Sequence, residues 1–261
     1  MNLARSARGA AVAVLTIALV TPPVEAQVHA KVPWAVGESL EYTVKLAGRN
    51  SGTGVMQVVG IDTMRGHPAW HLHFNIKGSV PLGLYHVDDS YESWMDLGTL
   101  NSLRFEQNLY EGGNKRLRNY DIYPDRGVYQ QEGKEERKTS VNPLDDASFF
   151  FFVRTLPLEV GKTYTFDQYF NPDANPVVIK VVRKDTIDVP AGRFPAIVLQ
   201  PTIKTNGLFS KNGHAEIWLS DDEYRILLRM DTHFSFIKLG LELRKVTYGA
   251  PQPDSAPRVR R

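Results

Sequence analysis

Residues 70–77 read Trp-His-Leu-His-Phe-Asn-Ile-Lys and alternate strictly between apolar and polar side chains. Because successive side chains of a β-strand point to opposite faces, one face of this segment is apolar and the other is polar. The stretch therefore predicts a half-buried strand. Similar patterns predict further strands at residues 40–47, 54–61, 85–95, 102–110, 116–123, 127–132, 163–169, 176–189, 194–203, 213–219, 226–236 and 239–248.

Turn-forming sequences separate these segments, for example Gly-Gly-Asn at residues 112–114 and Pro-Ala-Gly-Arg at residues 190–193. Short turns of this kind join antiparallel neighbours, and β-branched and aromatic residues are frequent between them. We therefore expect an all-β, mainly antiparallel fold: a large curved sheet or open half-barrel with one short helix packed on it. The charged residues 132–138 are expected to form a solvated loop or hairpin tip.

The helix is expected after Pro143. Asp145 or Asp146 can cap its N-terminus, and Pro157 ends the segment. Residues 149–152 are four consecutive phenylalanines, so the helix would be apolar on every side and should be buried against the sheet. A buried strand is the alternative for this segment.

The first 26 residues have the features of a secretory signal peptide. Two arginines precede an apolar run at residues 10–20, and Val-Glu-Ala at residues 24–26 supplies small residues for cleavage before Gln27. The apolar run is too short to cross a hydrocarbon core of about 30 Å. We expect residues 1–26 to be removed and the mature protein to be periplasmic.

The chain of 261 residues contains no cysteine. Bacterial lipoproteins carry their lipid on a cysteine directly after the signal, where this chain has Gln27, and no later run has the length of a membrane span. We therefore predict neither a lipid anchor nor a transmembrane span. The net charge of +2 comes from the arginine-rich ends, and a nearly neutral body argues against nucleic acid as a partner.

The predicted strands occupy residues 27–250, which we interpret as one β-rich domain. The strand pattern is interrupted near residues 140–143. This interruption leaves open whether residues 27–250 form one continuous sheet system or two subdomains. Residues 251–261 are rich in proline and arginine and predict a disordered basic tail.

No motif for a nucleophile, a phosphate or a dinucleotide occurs: the chain lacks a G-x-S-x-G elbow, a P-loop and a G-x-G-x-x-G fingerprint. The best metal-ligand candidates are His71 and His73, with His86, Asp88 and Asp89 on a following strand. Zinc needs three or four such ligands, and solvent-side histidines are the simpler interpretation. We predict no catalytic residue, no metal and no cofactor.

Paired carboxylates occur at residues 88–89, 145–146 and 221–222. Acid–base catalysis by two carboxylates requires that they face each other across a cleft. Adjacent strand residues point to opposite faces, and the other two pairs fall at cap or turn positions, where aspartate is common. We interpret all three pairs as structural.

Aromatic side chains are the remaining candidates for binding. Core packing is their default role, and the alternative is a cavity for an apolar or amphiphilic ligand, since such cavities are mostly apolar with few polar groups. The candidate lining residues are Trp70, Tyr85, Tyr91, Trp94, Phe105, Phe149, Phe152 and Trp218.

Several motifs in a fixed order resemble a known family. Residues 37–42 read Gly-Glu-Ser-Leu-Glu-Tyr, residues 145–161 read Asp-Asp-Ala-Ser-Phe-Phe-Phe-Phe-Val-Arg-Thr-Leu-Pro-Leu-Glu-Val-Gly, residues 189–194 read Val-Pro-Ala-Gly-Arg-Phe, and residues 215–229 read Ala-Glu-Ile-Trp-Leu-Ser-Asp-Asp-Glu-Tyr-Arg-Ile-Leu-Leu-Arg. Over residues 33–249 the chain resembles the exported bacterial proteins of domain-of-unknown-function family 3108. The resemblance implies a periplasmic, β-rich protein and transfers no catalytic residue.

The leading hypothesis is a non-enzymatic periplasmic protein that binds an apolar or amphiphilic component of the cell envelope, either a lipid or glycan ligand or an envelope protein. A hydrolase or lyase acting on envelope polysaccharide is one alternative, and it requires His71 or His73 to converge with Asp88 or Glu92 in a concave site. A scaffold in an envelope complex is another, and it requires an exposed apolar patch or sheet edge.

Overall fold

The computed structural model describes residues 31–79, 86–202, 215–234 and 237–250. The predicted segments at residues 1–26 and 251–261 lie outside the described residues. The strands are β1 Ser39–Leu46, β2 Arg49–Met64, β3 His67–Ser79, β4 His86–Asp96, β5 Ser102–Glu111, β6 Asn114–Tyr123, β7 Val128–Gln131, β8 Glu136–Lys138, β9 Thr163–Phe166, β10 Val177–Val189, β11 Gly192–Thr202, β12 Glu216–Ser220, β13 Leu227–Phe234 and β14 Ile237–Thr247.

The strands that the structure describes form one antiparallel sheet of fourteen, in the order β8-β7-β6-β5-β4-β3-β2-β1-β14-β13-β12-β11-β10-β9. From β1 in the middle, each strand as far as β8 is added beside its predecessor, towards one edge. The chain then crosses to the other edge, where β9 begins, and returns strand by strand until β14 pairs with β1. The predicted all-β, antiparallel fold is confirmed.

The two edge strands β8 and β9 do not pair with each other in this order. The segments beside them meet at one parallel bridge between Leu144 and Tyr169. There the Leu144 N–H donates to the Gln168 carbonyl at 2.6 Å and the Phe170 N–H donates to the Leu144 carbonyl at 2.8 Å. The sheet therefore curves until its edges approach one another, and it stays open.

The predicted short helix is confirmed as α1, Asp146–Val153. Asp145 is its N-cap, with a side chain that accepts hydrogen bonds from the Ala147 and Ser148 N–H groups at 2.9 Å. The helix packs against β3 and β4, and its buried Phe151 ring lies 5.3 Å from the ring of Trp34. The four phenylalanines thus belong to a helix held against the inner face of the sheet.

The alternation of apolar and polar side chains determines which face of each strand is buried. In β3 the side chains of Trp70, Leu72, Phe74 and Ile76 are buried, as the pattern predicts. The turn at residues 190–191 joins β10 to β11, and Gly192 has a φ of 136° that favours glycine. The buried apolar side chains on the inner face of the sheet form the main core together with α1.

Two local predictions can be compared with the structure. The charged segment at residues 132–138 contains the tip of a hairpin, one of the two forms expected for it, and it continues into strand β8 because Glu136–Lys138 pairs with β7. Its three side chains are charged and exposed, which is a common protection of an edge strand against pairing with other chains. The strand predicted at residues 163–169 ends at Phe166, because Tyr169 and Phe170 turn away to the bridge with Leu144.

Candidate functional site

A cavity of about 630 Å³ lies between α1 and the inner face of the sheet. Its walls come from both halves of the sheet and from the segment that follows β9. One end of the cavity is apolar and the other is polar, and we call these the apolar end and the polar end.

The apolar end is built by the alternating inner-face residues of β1, β3 and β10–β14 and by one side of α1. The Phe149 and Phe150 side chains of α1 are half-buried and face it. Its further lining side chains are Val44, Leu46, Phe74, Ile76, Val153, Ile179, Leu199, Ile217, Leu219, Met230 and Leu239.

An aromatic ladder crosses β4, β5 and β6 beside the cavity. The Tyr91 ring stacks on Phe105 at 6.3 Å between centroids, and Phe105 stacks on Tyr120 at 6.1 Å. The Phe170 ring lies against Tyr120 at 5.1 Å. Tyr91 and Tyr120 line the cavity, so the ladder connects its apolar end to its polar end.

The polar end is formed by the inner faces of β4 to β8 and by residues beside the Leu144–Tyr169 bridge. These side chains carry carboxylate, amide, phenol and guanidinium groups. They are Asp89, Gln107, Glu111, Arg116, Arg118, Gln131, Arg137, Asp146, Tyr169 and Asn171.

Two carboxyl groups of the polar end have raised pKa values. Burial raises the pKa of Asp89 to about 6, although the Tyr110 N–H donates to its Oδ1 at 3.0 Å. Burial likewise raises the pKa of Asp146 to about 6. The Tyr169 hydroxyl and the Gln107 amide donate to Asp146 at 2.9 and 3.0 Å. Both groups are therefore partly protonated near neutral pH.

The three guanidinium groups of the polar end differ in their partners. Arg116 forms an ion pair with Glu111, and Arg137 pairs with the exposed Asp173 at 2.9 Å. Arg118 forms no salt bridge with any carboxylate of the described residues. The charge of Arg118 lowers the pKa values of Asp146, Tyr91 and Tyr120, although burial raises each of these pKa values by more. Arg118 therefore lies close to all three side chains.

Of the residues predicted to line a cavity, Tyr91 and Phe149 do so. The others lie elsewhere: Phe152 packs on Phe166 at 5.4 Å, and Trp94 stacks on His71 at 4.7 Å on the outer face. Tyr85 lies outside the described residues. The remaining three are buried in the core and do not line the cavity: Trp70, Phe105 and Trp218.

Sequence reasoning missed the polar end. A signal was available in β6, where Arg116, Arg118 and Tyr120 share a strand face with the buried Ile122. Two arginines on the same face as a core isoleucine indicate an inner surface that turns polar along the strand. Of the paired carboxylates, Asp89 and Asp146 also line the cavity, in addition to the hydrogen bonds that they accept from Tyr110, Gln107 and Tyr169.

The other members of the carboxylate pairs have the expected structural roles. Asp145 caps α1, and Asp222 accepts the N–H groups of Tyr224 and Arg225 at 3.0 Å in the turn before β13. Asp88 lies on the outer face of β4 and pairs with Lys77 at 3.3 Å.

His71 and His73 converge on Glu92 on the outer face of the sheet, opposite the cavity. The His71 Nε2–Glu92 distance is 2.9 Å and the His73 Nδ1–Glu92 distance is 2.6 Å. His71 Nδ1 also lies 3.2 Å from Asp62. Over the described ranges, no group of three histidine or acidic side chains is arranged to hold a metal ion. The convergence that the hydrolase alternative requires is thus present, but on the face that the cavity does not use.

Comparison with known proteins shows the family of the chain and proteins with a similar fold. The family described as a protein of unknown function, DUF3108, matches residues 41–243, which run from β1 into β14. The chain belongs to this family. Among curated proteins, no sequence matches it.

The DUF3108 chain also has relatives in structure. A beta-barrel-like protein of the DUF1849 family from Brucella abortus aligns with a TM-score of 0.55 at 10% identity, over 84% of this chain and 100% of that chain. This likeness shows a shared fold. A candidate lipoprotein from Parabacteroides distasonis aligns at 13% identity over 83% of this chain and 98% of that chain, with a TM-score of 0.36.

Proposed function

We propose that this protein is an exported binding protein that takes up an apolar or amphiphilic molecule in the cavity between α1 and the sheet. The observation that carries the proposal is the cavity itself. Its 630 Å³ fall in the range of about 300–1,000 Å³ that small-molecule sites occupy. Its lining combines one continuous apolar wall with a small polar region, as in sites that orient their ligands.

The size of the cavity also has an energetic meaning. Protein interiors are close-packed, and side chains that face a void lose dispersion contacts. A ligand that fills the apolar end restores these contacts to Phe74, Phe149 and Leu219, so its binding stabilises the folded state. An apolar wall that faces a void is poorly suited to a rigid core and well suited to a ligand that binds reversibly.

We infer the cellular site of this binding from residues 1–26, which have the features of a secretory signal peptide. The proposed ligand is an envelope component that reaches the protein in the periplasm. The described residues include no helix with the length and hydrophobicity of a membrane-spanning segment.

Uptake of a fluorescent apolar probe tests the proposal. The full chain, produced in the periplasm of a Gram-negative host, is titrated with N-phenyl-1-naphthylamine, and palmitate is added as a competitor. Bound envelope lipid is identified by native mass spectrometry of the purified protein. We expect saturable probe binding that palmitate displaces.

A matched pair of variants tests whether the probe binds at the apolar end of the cavity. Ile76→Trp fills the apolar end and should reduce probe affinity about 10-fold or more. Leu117→Trp makes a similar change at an exposed position of β6 and should leave affinity unchanged. A protein that carries no lipid and takes up neither probe nor palmitate would overturn the proposal.

A further inference from the structure

We infer that the ligand is an anionic amphiphile whose acidic head group is bound by Arg118 and whose apolar chain lies along the apolar end. The inference rests on the proposed function and adds the charge and the orientation of the ligand. It depends on the position of Arg118, on its partners, and on the path from its guanidinium to the apolar wall.

The register of the sheet places Arg118 inside the cavity. Tyr91 of β4 is opposite Gln107 of β5, which is opposite Arg118 of β6. These three residues form one row across the inner face. Arg116 lies two residues away on the same face, about 7 Å along the strand. Arg116 and Arg118 both line the polar end.

Arg118 forms a hydrogen bond with the Tyr120 hydroxyl, and the charges around it leave its other donors available to a ligand. Glu111 neutralises Arg116 and Asp173 neutralises Arg137. Arg118 has no such carboxylate in the part of the chain that the structure describes, and it is half-buried. A guanidinium offers five N–H donors in a planar fork that fits a carboxylate or a phosphate with two hydrogen bonds.

The carboxyl groups nearby do not replace that anion. Asp146 already accepts hydrogen bonds from Tyr169 and Gln107. Asp89 accepts from the Tyr110 N–H, and neither carboxylate forms a salt bridge with Arg118 in the described part of the chain. A cationic head group would instead have to lie beside the charge of Arg118, where like charges repel.

The aromatic ladder provides the path for the chain. Tyr91 belongs to the row that contains Arg118, and Tyr120 lies in the next row, opposite Phe105. The Phe74 ring lies 6.0 Å from the Tyr91 ring between centroids. From Phe74 the wall continues as aliphatic side chains of β1 and β3. An acid bound at Arg118 therefore has an unbroken apolar surface for a single alkyl chain.

Four ligands with the same 16-carbon chain test the inference on the full-length protein: palmitate, hexadecyl phosphate, hexadecanol and hexadecyltrimethylammonium. Their affinities are measured by displacement of N-phenyl-1-naphthylamine below the micelle concentration. We expect at least one of the two anions to bind about 10-fold more tightly than hexadecanol, and the cation to bind most weakly. The better anion distinguishes a carboxylate from a phosphate head group.

Arg118→Gln should abolish the preference for the anions and leave hexadecanol affinity unchanged, which also shows that the variant is folded. Lys115→Gln removes the same charge from the other face of β6 and should change neither affinity. Added salt should weaken the binding of palmitate and hexadecyl phosphate but not that of hexadecanol. This measurement is made on the unchanged protein.

The possible failures are distinct. Hexadecanol binding as tight as that of both anions would overturn the inference and leave the proposed function standing. Retention of the anion preference in Arg118→Gln would also overturn it. A protein that binds none of the four ligands would overturn the proposed function itself.

Discussion

Glu92 is the residue with the most strongly altered environment on the outer face. Burial alone would raise its pKa, but hydrogen bonds from His71 and His73 outweigh this effect and hold the pKa at about 2. The hydrogen bond to Glu92 in turn raises the pKa of His71 above 6.5. The three side chains form a charge cluster that stabilises the β3–β4 pair.

The stability conferred by this cluster should depend on pH. The Glu92 contribution is complete above 4.5 and is lost as the pH falls through about 2. The His71 contribution is complete below 6.5 and is lost as the pH rises through its raised pKa. Glu92→Gln should therefore lower the free energy of unfolding most between pH 4.5 and 6.5, by about 1 kcal/mol. Urea denaturation at a series of pH values measures this difference.

Glu41→Gln is the control for that profile. Glu41 pairs with Arg244 and Lys245 and with no histidine, so the effect of its removal should be flat from pH 5 to 8. A flat profile for Glu92→Gln as well would contradict the assignment of the His71 shift to Glu92.

At the scale of elements, α1 is too short to be stable alone. Isolated helices below about 12–15 residues are marginal in water, and α1 has eight. Its N-terminus is fixed by Asp145, which accepts two backbone N–H groups through Oδ1 and the Ser93 hydroxyl through Oδ2 at 2.6 Å. The cap thus attaches the helix to β4 as well as beginning it.

Asp145→Ala should reduce stability by about 2–4 kcal/mol, because it removes the cap and leaves the buried Ser93 hydroxyl without its acceptor. Asp145→Asn keeps an oxygen for the two N–H groups and should cost clearly less. Unfolding in urea compares the two variants. Equal losses would mean that the charge of Asp145, and not its capping geometry, holds α1.

The elements themselves could largely be predicted from the sequence, since period-two alternation and turn residues mark nearly every strand. The helix could be predicted from Asp145 and Pro157. The polar inner face of β6 could also have been predicted, but the assembly of the polar end could not, because Arg118, Gln107 and Asp146 come from three separate segments that only the fold brings together. Alternation defines the two faces of a strand, but the order of strands in the sheet depends on contacts between distant residues.

For the whole molecule, one buried ion pair links distant parts of the chain. Arg154, the C-cap of α1, donates to both carboxylate oxygens of Glu38 at 2.6 and 2.9 Å. It also donates to the Tyr224 carbonyl at 3.0 Å, and its guanidinium lies 5.5 Å from the Trp34 ring centroid. The end of the helix, the segment before β1 and the turn before β13 are thereby joined.

Arg154→Met should lower the free energy of unfolding by about 3–5 kcal/mol, because it leaves the Glu38 carboxylate buried without a partner. The double variant Glu38→Gln with Arg154→Met removes that charge as well and should recover part of the loss. Thermal and urea unfolding give both values. A loss below about 1 kcal/mol for Arg154→Met would show that the pair is not a structural link.

The pairing of β1 with β14 joins residues that are about two hundred positions apart, for example Ser39 with Thr247. Contacts between such distant residues slow folding, because the intervening loop entropy is lost before the contacts form. The centre of the sheet cannot be completed until the last strand has been synthesised. We therefore expect slow folding, which would keep a newly made chain unfolded for long enough to pass through a narrow translocation channel in the export proposed above.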